Sequence, residues 1–298
     1  MACRREPLGP SLVDISTSPC WPTGPWWGKS RPTCRWTSLS SARPIGAKSR
    51  SWSRVPDIFI GHDRVDALAA EVCASSIRRR SARPLRFLRL SDHDVSRAYK
   101  RPFRRDGGQL IDLADPRSQV PFSTEFAFSR FLVPYLREYK GWALFTDPDT
   151  LWTRSVDQLF SLADDNFAVM VVKHDHRPTP RVKMHNIAQT AYERKNWSSV
   201  CLWNCEHPSN RMLTPDVVNR FPGRWLHAFK WLDDAEIGAL PAEWNWLVGA
   251  DPVKDAGWVQ PPSCIHFTSG GPWLRAYRGV RWSQLWLEEC QDYRPEVR

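Results

Sequence analysis

From residue 55 onward, short apolar runs alternate with amphipathic stretches. Apolar runs of about 4–8 residues between turn residues are typical of buried strands, and they predict strands at 57–61, 85–90, 142–147, 167–173, 200–203, 225–229 and 264–267. Apolar residues at helical spacing predict helices at 63–80, 124–139 and 156–162, and Pro134 should bend or shorten the second of these. The strand–helix–strand opening predicts an α/β fold with a mostly parallel sheet and right-handed crossovers.

The stretch 91–122 is polar and punctuated by Gly and Pro, which predicts a long functional loop. Beyond residue 173 the pattern becomes irregular and rich in Trp, and no internal repeat is present. The sequence therefore predicts a single domain over 55–298, with two unequal halves and an irregular C-terminal part.

The first 54 residues differ from the rest in composition. They contain seven Pro, ten Ser and five Trp, and they carry +7 of the total net charge of +10. They lack the apolar core of a signal peptide and the amphipathic Arg-rich helix of a transit peptide. We expect 1–54 to be a disordered extension, or to lie upstream of the true start of the protein. Because the positive charge is concentrated there, it is weak evidence for a nucleic-acid partner, and none is expected.

Five cysteines fall in the body of the chain, which is an odd number. Cys201 and Cys205 form one close pair, and no second close pair completes a zinc site. Without a secretory signal, this usage fits reduced thiols in a cytoplasmic protein. No run of about 18 apolar residues is present, so no transmembrane segment is expected, and peripheral membrane contact stays open.

The strongest chemical signal is the pair of carboxylates that follows the predicted strand 142–147. Asp147 and Asp149 flank Pro148 at the point where a strand leaves the sheet, and such points form the ligand crevice of open α/β folds. Hard oxygen ligands suit Mg²⁺ or Mn²⁺, and these ions suit a diphosphate. An ordinary surface turn is the alternative, because turns are rich in Asp and Pro for local reasons.

Five segments in order carry a resemblance: Gly61 after the first strand, then 128–134 (FSRFLVP), 140–149 (KGWALFTDPD), 240–245 (LPAEWN) and 265–273 (IHFTSGGPW). In that order they resemble the glycosyltransferases of the GT-A fold, particularly the retaining family 8 group and its bacterial relatives. The resemblance covers about residues 55–290 and implies a Rossmann-like nucleotide-diphospho-sugar transferase domain.

The resemblance implies a metal site. Asp147, Asp149 and His266 would hold Mn²⁺ (or Mg²⁺), which bridges the diphosphate of a UDP-sugar. Imidazole is a more acceptable ligand for Mn²⁺ than for Mg²⁺. For His266 the alternative is a hydrogen-bonded core histidine.

The resemblance also implies substrate contacts. Arg130 would lie against the nucleotide-sugar, where a planar guanidinium suits phosphate or sugar hydroxyls, and the uracil would be flanked by Phe59, Ile60 and Gly61. A surface arginine and an ordinary turn are the alternatives.

Two positions depart from the family pattern. Where the family has an Asp-Gln pair near the anomeric carbon, this chain has acids, and Asp234 is the first choice for that role with Asp233 second. Where the family has a Lys before Pro-Trp, this chain has Gly271. Either the backbone amides of Gly270 and Gly271 cradle phosphate instead, or a basic residue such as Arg275 compensates.

Asn204 is the candidate for a hydrogen bond to a sugar hydroxyl, with a turn Asn as the alternative. The sequence thus predicts a hexosyltransferase-type enzyme that moves a sugar from a nucleotide sugar to a glycan, lipid or protein acceptor, with retention. A nucleotidyltransferase-like protein of the same fold and a non-catalytic carbohydrate-binding protein with Trp stacking platforms are the alternatives.

Overall fold

The computed structural model describes residues 55–106, 109–114, 121–175, 193–250, 255 and 257–293. The predicted extension 1–54 lies outside the described residues. No helix in the described part of the chain is long and apolar enough to cross a membrane.

A six-stranded sheet with the strand order β10-β8-β9-β6-β1-β2 forms the centre of the molecule. Its strands are β1 (Asp57–Gly61), β2 (Leu85–Leu88), β6 (Trp142–Thr146), β8 (Val169–Val171), β9 (Val200–Asn204) and β10 (Ile237–Ala239). Strands β1, β2 and β6 are parallel to one another, and β10 is parallel to β8. Strand β9 is antiparallel to both of its neighbours, β6 and β8. The predicted α/β class with a mostly parallel sheet is therefore confirmed.

Strand direction defines two edges of this sheet. The carboxyl ends of all strands except β9 meet at one edge, and β9 begins there, since Val200 pairs with Thr146. We call it the carboxyl edge. Gly61, Asp147 and the segment before Val200 all lie at this edge. It is where ligands bind in open α/β sheets.

Helices cover both faces of the sheet. They are α1 (Ala67–Arg78), α2 (His93–Ala98), α3 (Val133–Leu136), α4 (Val156–Phe160), α5 (Pro215–Arg220), α6 (Gly223–His227) and α7 (Ser283–Asp292). Alternating side chains of the strands separate two cores. Ile58 and Leu144 pack with α1 and α4, whereas Phe145 and Trp203 pack on the other face with Phe131. Each buried aliphatic or aromatic side chain contributes about 1.5–3 kcal/mol by leaving water.

Two small sheets complete the fold. One has the order β3-β4-β5 and is formed by β3 (Phe103–Asp106), β4 (Gln109–Asp112) and β5 (Pro121–Phe122). The other has the order β11-β12-β7 and is formed by β7 (Thr150–Trp152), β11 (Trp246–Leu247) and β12 (Cys264–His266). The second sheet is important for the site because β7 directly follows the Asp147–Asp149 turn and pairs antiparallel with β12.

Several predicted elements differ in the structure. The helix predicted at 124–139 is a 3₁₀ turn, Ser129–Leu132, followed by the short α3, because Pro134 takes an early helical position and Glu138 adopts a left-handed backbone. The strand predicted at 225–229 is wrong, since α6 occupies most of it. The loop predicted at 91–122 contains α2 and the small sheet β3-β4-β5. Helices α5 and α7 and strands β7, β10 and β11 were not predicted.

Candidate metal centre

Asp147 is positioned by the end of β6 and by the turn that follows it. Its backbone N–H donates to the carbonyl of Ser199 at 2.8 Å, which ties it to the start of β9. On the other side, the hydroxyl of Thr150 donates to the Asp147 carbonyl at 2.9 Å and lies 2.9 Å from the hydroxyl of Thr146. The turn is therefore held by hydrogen bonds from both sides before any ligand binds.

Asp149 and His266 are brought together by strand pairing. His266 is the partner of Thr150 in the β7–β12 register, and the backbone N–H of Phe267 donates to the Asp149 carbonyl at 2.9 Å. The Nε2 atom of His266 consequently lies 3.3 Å from Asp149 Oδ1, and both side chains are largely buried. A strand far along the sequence thus supplies the imidazole that faces the carboxylates.

Asp147, Asp149 and His266 form a group in which one potential ligand atom from each residue lies within 4.8 Å of the others. Two carboxylate oxygens and one imidazole nitrogen are a donor set that divalent ions such as Mn²⁺ accept. The structure therefore brings together all three residues expected to bind the metal, and their donor atoms fit such an ion.

Arg130 contacts this group directly. Its Nη1 lies 2.9 Å from Asp147 Oδ1 and donates to the carbonyl of Ser198 at 2.8 Å, while Nε donates to the carbonyl of Ala127 at 3.0 Å. The guanidinium carbon lies 4.8 Å from the centre of the Phe145 ring. Arg130 was expected to lie against a nucleotide-sugar, and the structure shows it buried and bonded to a carboxylate of the group.

The Cys73 thiol and the His227 imidazole lie next to the metal group, and burial favours the uncharged form of each. Burial raises the pKa of the Cys73 thiol to about 12, despite its hydrogen bond to Thr150. Burial, aided by the positive charges of Arg130 and Lys195, lowers the pKa of His227, whose Nδ1 lies 2.8 Å from the hydroxyl of Ser198. Cys73 and His227 therefore add no charge of their own beside the carboxylates and the arginine.

The residues expected to flank the uracil divide into two kinds. Phe59 and Ile60 are fully buried and belong to the cores on opposite faces of the sheet, so neither side chain is exposed for contact with a uracil. Gly61 does lie at that edge, and a Cβ atom there would come within 2.5 Å of the Phe126 ring. Glycine is thus required for close packing at this turn.

The two glycines expected to cradle phosphate follow β12. Gly270 has a left-handed φ of +138° and its N–H donates to the carbonyl of Phe267 at 2.8 Å, so this amide already holds the turn. The ring of Trp273 covers Gly271, and its Nε1 donates to Asp66 at 2.9 Å. The N–H of Gly270 therefore already has a hydrogen-bond acceptor within the protein, the carbonyl of Phe267.

Asn204 and the two acids before β10 are not brought to the metal group. Asn204 pairs with Trp142, the first residue of β6, so it lies about 13 Å along the strand from the carboxyl edge at ~3.3 Å per residue. Asp233 and Asp234 precede β10. Its first residue, Ile237, aligns across β8 and β9 with Ala143, which lies near the start of β6. This placement does not support the sugar-binding roles expected for the three residues.

Local roles account for these side chains. Asn204 Nδ2 donates to the carbonyl of Phe167 at 3.2 Å. Asp233 belongs to a capping box with Glu236, and the exposed Asp234 is ion-paired with Arg194. Each of the three side chains therefore has a partner within the protein.

Sequence reasoning missed two residues next to the centre. Asn245 is fully buried, and its Oδ1 lies 2.9 Å from Nδ1 of His266. Asn196 has a left-handed φ of 65°, and its carbonyl accepts from the hydroxyl of Ser199 at 2.6 Å. In the sequence, Asn245 ends the segment 240–245 and Asn196 opens the run 196–204 that leads into β9, and neither position indicates a role without the fold.

The fold and the site together define an α/β protein that presents a carboxylate–imidazole group at the carboxyl edge of its central sheet. No protein-family model matches the chain. The chain is 41% identical to Protein CDI of Arabidopsis thaliana over 239 residues, which are 80% of this chain and 87% of the relative. The chain belongs to the same family as Protein CDI.

Solved structures similar to this chain are glycosyltransferases. The apo form of GlyE from Streptococcus pneumoniae is 14% identical, with a TM-score of 0.49, over 79% of this chain and 60% of GlyE. The galactosyltransferase LgtC, solved with donor and acceptor sugar analogues, is 16% identical, with a TM-score of 0.48, over 80% of this chain and 98% of LgtC. The chain thus spans about three fifths of the length of GlyE and nearly all of LgtC.

Proposed function

We propose that the chain is a metal-dependent glycosyltransferase of the GT-A type that transfers a hexose from a nucleotide sugar, UDP-linked, to a glycan, lipid or protein acceptor. The observation that carries the proposal is the convergence of Asp147, Asp149 and His266 within 4.8 Å. The resemblance of five ordered segments to the family 8 group supports it from the sequence.

In this proposal Asp147, Asp149 and His266 would hold Mn²⁺ or Mg²⁺, and the bound ion would supply Lewis-acid stabilisation of the departing diphosphate. The chain's own residues orient the ligands. Arg130 fixes one carboxylate through its contact with Asp147 Oδ1. The β7–β12 pairing fixes Asp149 relative to the imidazole.

Retention is part of the proposal through the resemblance. Because Asp233 is used in a capping box with Glu236 and Asp234 is ion-paired with Arg194, we do not assign either carboxylate to the anomeric carbon. We propose front-face attack by the acceptor, with the departing diphosphate assisting its deprotonation. A neutral Cys73, with a pKa raised by burial to about 12, is not a candidate base at neutral pH.

A carbohydrate-binding role based on Trp stacking platforms is less well supported. Trp244 is 3% exposed and belongs to a core cluster, and Trp225 and Trp231 pack against the core with each other. A Trp as deeply buried as Trp244 does not present a ring face to a sugar.

The test is nucleotide-sugar turnover or hydrolysis with Mn²⁺, Mg²⁺ or a chelator, after a thermal-shift panel selects the donor. Asp147→Asn and Asp149→Asn should each abolish metal-dependent turnover while the protein stays folded. Asp233→Asn is a matched control, because it removes a carboxylate charge outside the metal group. If the wild-type protein turns over no nucleotide sugar and binds none with Mn²⁺, the proposal is wrong.

A further inference from the structure

We propose that Asn245 is a positioning residue that holds the imidazole of His266 with its Nε2 atom facing the carboxylates. The inference rests on the proposed metal site. Asn245 ends a 3₁₀ turn, Ala242–Asn245, directly before β11, and it is fully buried. Because β11 pairs with β12, the side chain of Asn245 reaches His266 from the neighbouring strand.

The orientation of the Asn245 amide follows from the partners on its other side. The hydroxyl of Ser199 donates to the carbonyl of Asn196, at 2.6 Å, because a carbonyl can only accept. The remaining lone pairs of that hydroxyl are acceptors, and Asn245 Nδ2 lies 2.9 Å away. The same Nδ2 lies 3.4 Å from the Asn196 carbonyl. Both contacts require the NH₂ group, so the amide oxygen points the other way.

That oxygen decides the tautomer of the histidine. Asn245 Oδ1 lies 2.9 Å from Nδ1 of His266 and can only accept, so Nδ1 carries the hydrogen. A neutral imidazole has one ring hydrogen, and Nε2 therefore presents a lone pair. This atom lies 3.3 Å from Asp149 Oδ1, which is also an acceptor. Two acceptors held this close are suited to share a cation, and such outer hydrogen bonds are how proteins orient metal-binding histidines.

The segment that fixes Asn245 also fixes the other ligands. The backbone carbonyl of Ser199 accepts from the Asp147 N–H at 2.8 Å, and the carbonyl of the adjacent Ser198 accepts from Arg130 Nη1 at 2.8 Å. Asn245 therefore connects the imidazole on β12 to the frame that holds the Asp147 turn. Its removal should free the ring of His266 while leaving the carboxylates in place.

The first measurement uses the metal-free wild-type protein with ¹⁵N-labelled histidine. At a pH about two units above the ordinary imidazole value, two-bond ¹H–¹⁵N spectra distinguish a protonated ring nitrogen from one with a lone pair. We expect His266, assigned by comparison with His266→Gln, to carry its hydrogen on Nδ1. A hydrogen on Nε2 would overturn the proposal, whether or not the protein is an enzyme.

The second measurement is Mn²⁺ affinity by calorimetry. Asn245→Ala should weaken binding about 10–100-fold, the range seen for such partners of metal ligands. Asn245→Asp keeps an acceptor for Nδ1, and the Ser199 hydroxyl can rotate to donate to it, so this variant should recover most of the affinity. Asn210 gives the matched control, since it is equally buried and its Nδ2 donates to Ala168 and Asn204 carbonyls away from the site.

The outcomes separate the inference from the proposed function. If Asn210→Ala weakens Mn²⁺ binding as much as Asn245→Ala, or if Asn245→Ala binds like wild type, the positioning role is wrong. If Asn245→Ala does not fold, the wild-type tautomer and the Asn245→Asp affinity still decide. Wild-type protein that binds Mn²⁺ but turns over no nucleotide sugar would contradict the proposed function and leave the role of Asn245 intact.

Discussion

The Nη1 atom of Arg130 lies 2.9 Å from Oδ1 of Asp147, and the two side chains are only 6% and 16% exposed. Charge-assisted contacts of this kind are stronger than neutral ones. Because the guanidinium also donates to two backbone carbonyls, its position does not depend on the carboxylate alone. Arg130 therefore balances the negative charge of Asp147, one of the proposed metal ligands, and orients its carboxylate.

Arg130→Met should strongly destabilise the metal-free protein, by about 3–5 kcal/mol, because it leaves a largely buried carboxylate without its partner. Added Mn²⁺ should recover part of this loss, since the ion supplies the positive charge that Asp147 has lost. The measurement is the free energy of unfolding in urea, with chelator and with Mn²⁺. The gain on adding Mn²⁺ should be larger for Arg130→Met than for wild type.

Arg137→Met is the matched control for this prediction. Arg137 forms a similar buried pair with Asp57, at 2.7 Å, with side chains 1% and 13% exposed. Since Asp57 begins β1, this pair lies at the edge of the sheet opposite the metal group. Arg137→Met should lose stability without any Mn²⁺-dependent recovery. Equal recovery in both variants would mean that Mn²⁺ does not act at Asp147.

Asp234→Asn should leave turnover within about twofold of wild type. The carboxylate is 87% exposed and pairs only with Arg194 among the contacts the structure describes, and exposed pairs contribute little to stability. Initial rates with the donor found in the panel are the measurement. A loss as large as that of Asp149→Asn would instead favour the role near the anomeric carbon that the sequence resemblance implies.

The parts of the fold and site that the sequence predicts depend on local signals. The run 142–147 is apolar and ends in two carboxylates, and it forms β6 followed by the Asp147 turn. The stretch 63–80 has one apolar face and contains α1. Such patterns can be recognised without knowing the rest of the chain, because the spacing of apolar residues alone indicates whether one face or both faces of an element are buried.

The direction of β9 explains the main difference at the site. Its apolar sequence predicts a buried strand but not whether it runs parallel or antiparallel to β6. Had β9 been parallel, Asn204 at its end would lie at the carboxyl edge beside Asp147. Because it is antiparallel, Asn196 and Ser199 lie there instead. The position of Asn245 beside His266 likewise depends on the pairing of β11 with β12.

The buried cysteines should be inert in the native protein. Cys73, Cys201, Cys205 and Cys264 are all fully buried, whereas Cys290 is half-exposed. We expect iodoacetamide at about pH 8 to label Cys290 alone among these five, because only the accessible thiolate reacts, and all five after denaturation. Peptide mass spectrometry gives the readout, and native labelling of Cys73 would contradict the buried placement.

The same burial predicts a loss of stability in alkali. Burial raises the pKa of Cys73 to about 12 from an ordinary value of 9.0. Below the ordinary value the thiol is neutral in both states, so its contribution is fully present. Between pH 9.0 and about 12 the unfolded chain loses this proton and the folded chain does not, so the free energy of unfolding falls as the pH rises. Cys73→Ala should make the fall shallower over that range.

Asn196 combines two features that favour a substrate contact. Its φ is 65°, and its buried Nδ2 has no hydrogen-bond partner within the described part of the chain. Its carbonyl accepts from Asn245 and Ser199, next to the metal group. A buried unpaired donor is unfavourable, so we expect this amide to donate to an oxygen of the bound nucleotide sugar.

Asn196→Gly should therefore raise the KM for the donor about tenfold, the effect of losing one hydrogen bond of about 1.4 kcal/mol, with little loss of stability. Glycine accepts the left-handed backbone, and the unpaired donor is removed. Asn196→Ala removes the same amide but keeps a Cβ in that conformation, which is unfavourable by about 1–2 kcal/mol relative to glycine. The two variants should share the increase in KM and differ in unfolding free energy. An unchanged KM in Asn196→Gly would show that the amide does not contact the donor, and an increase only in Asn196→Ala would trace the effect to the backbone.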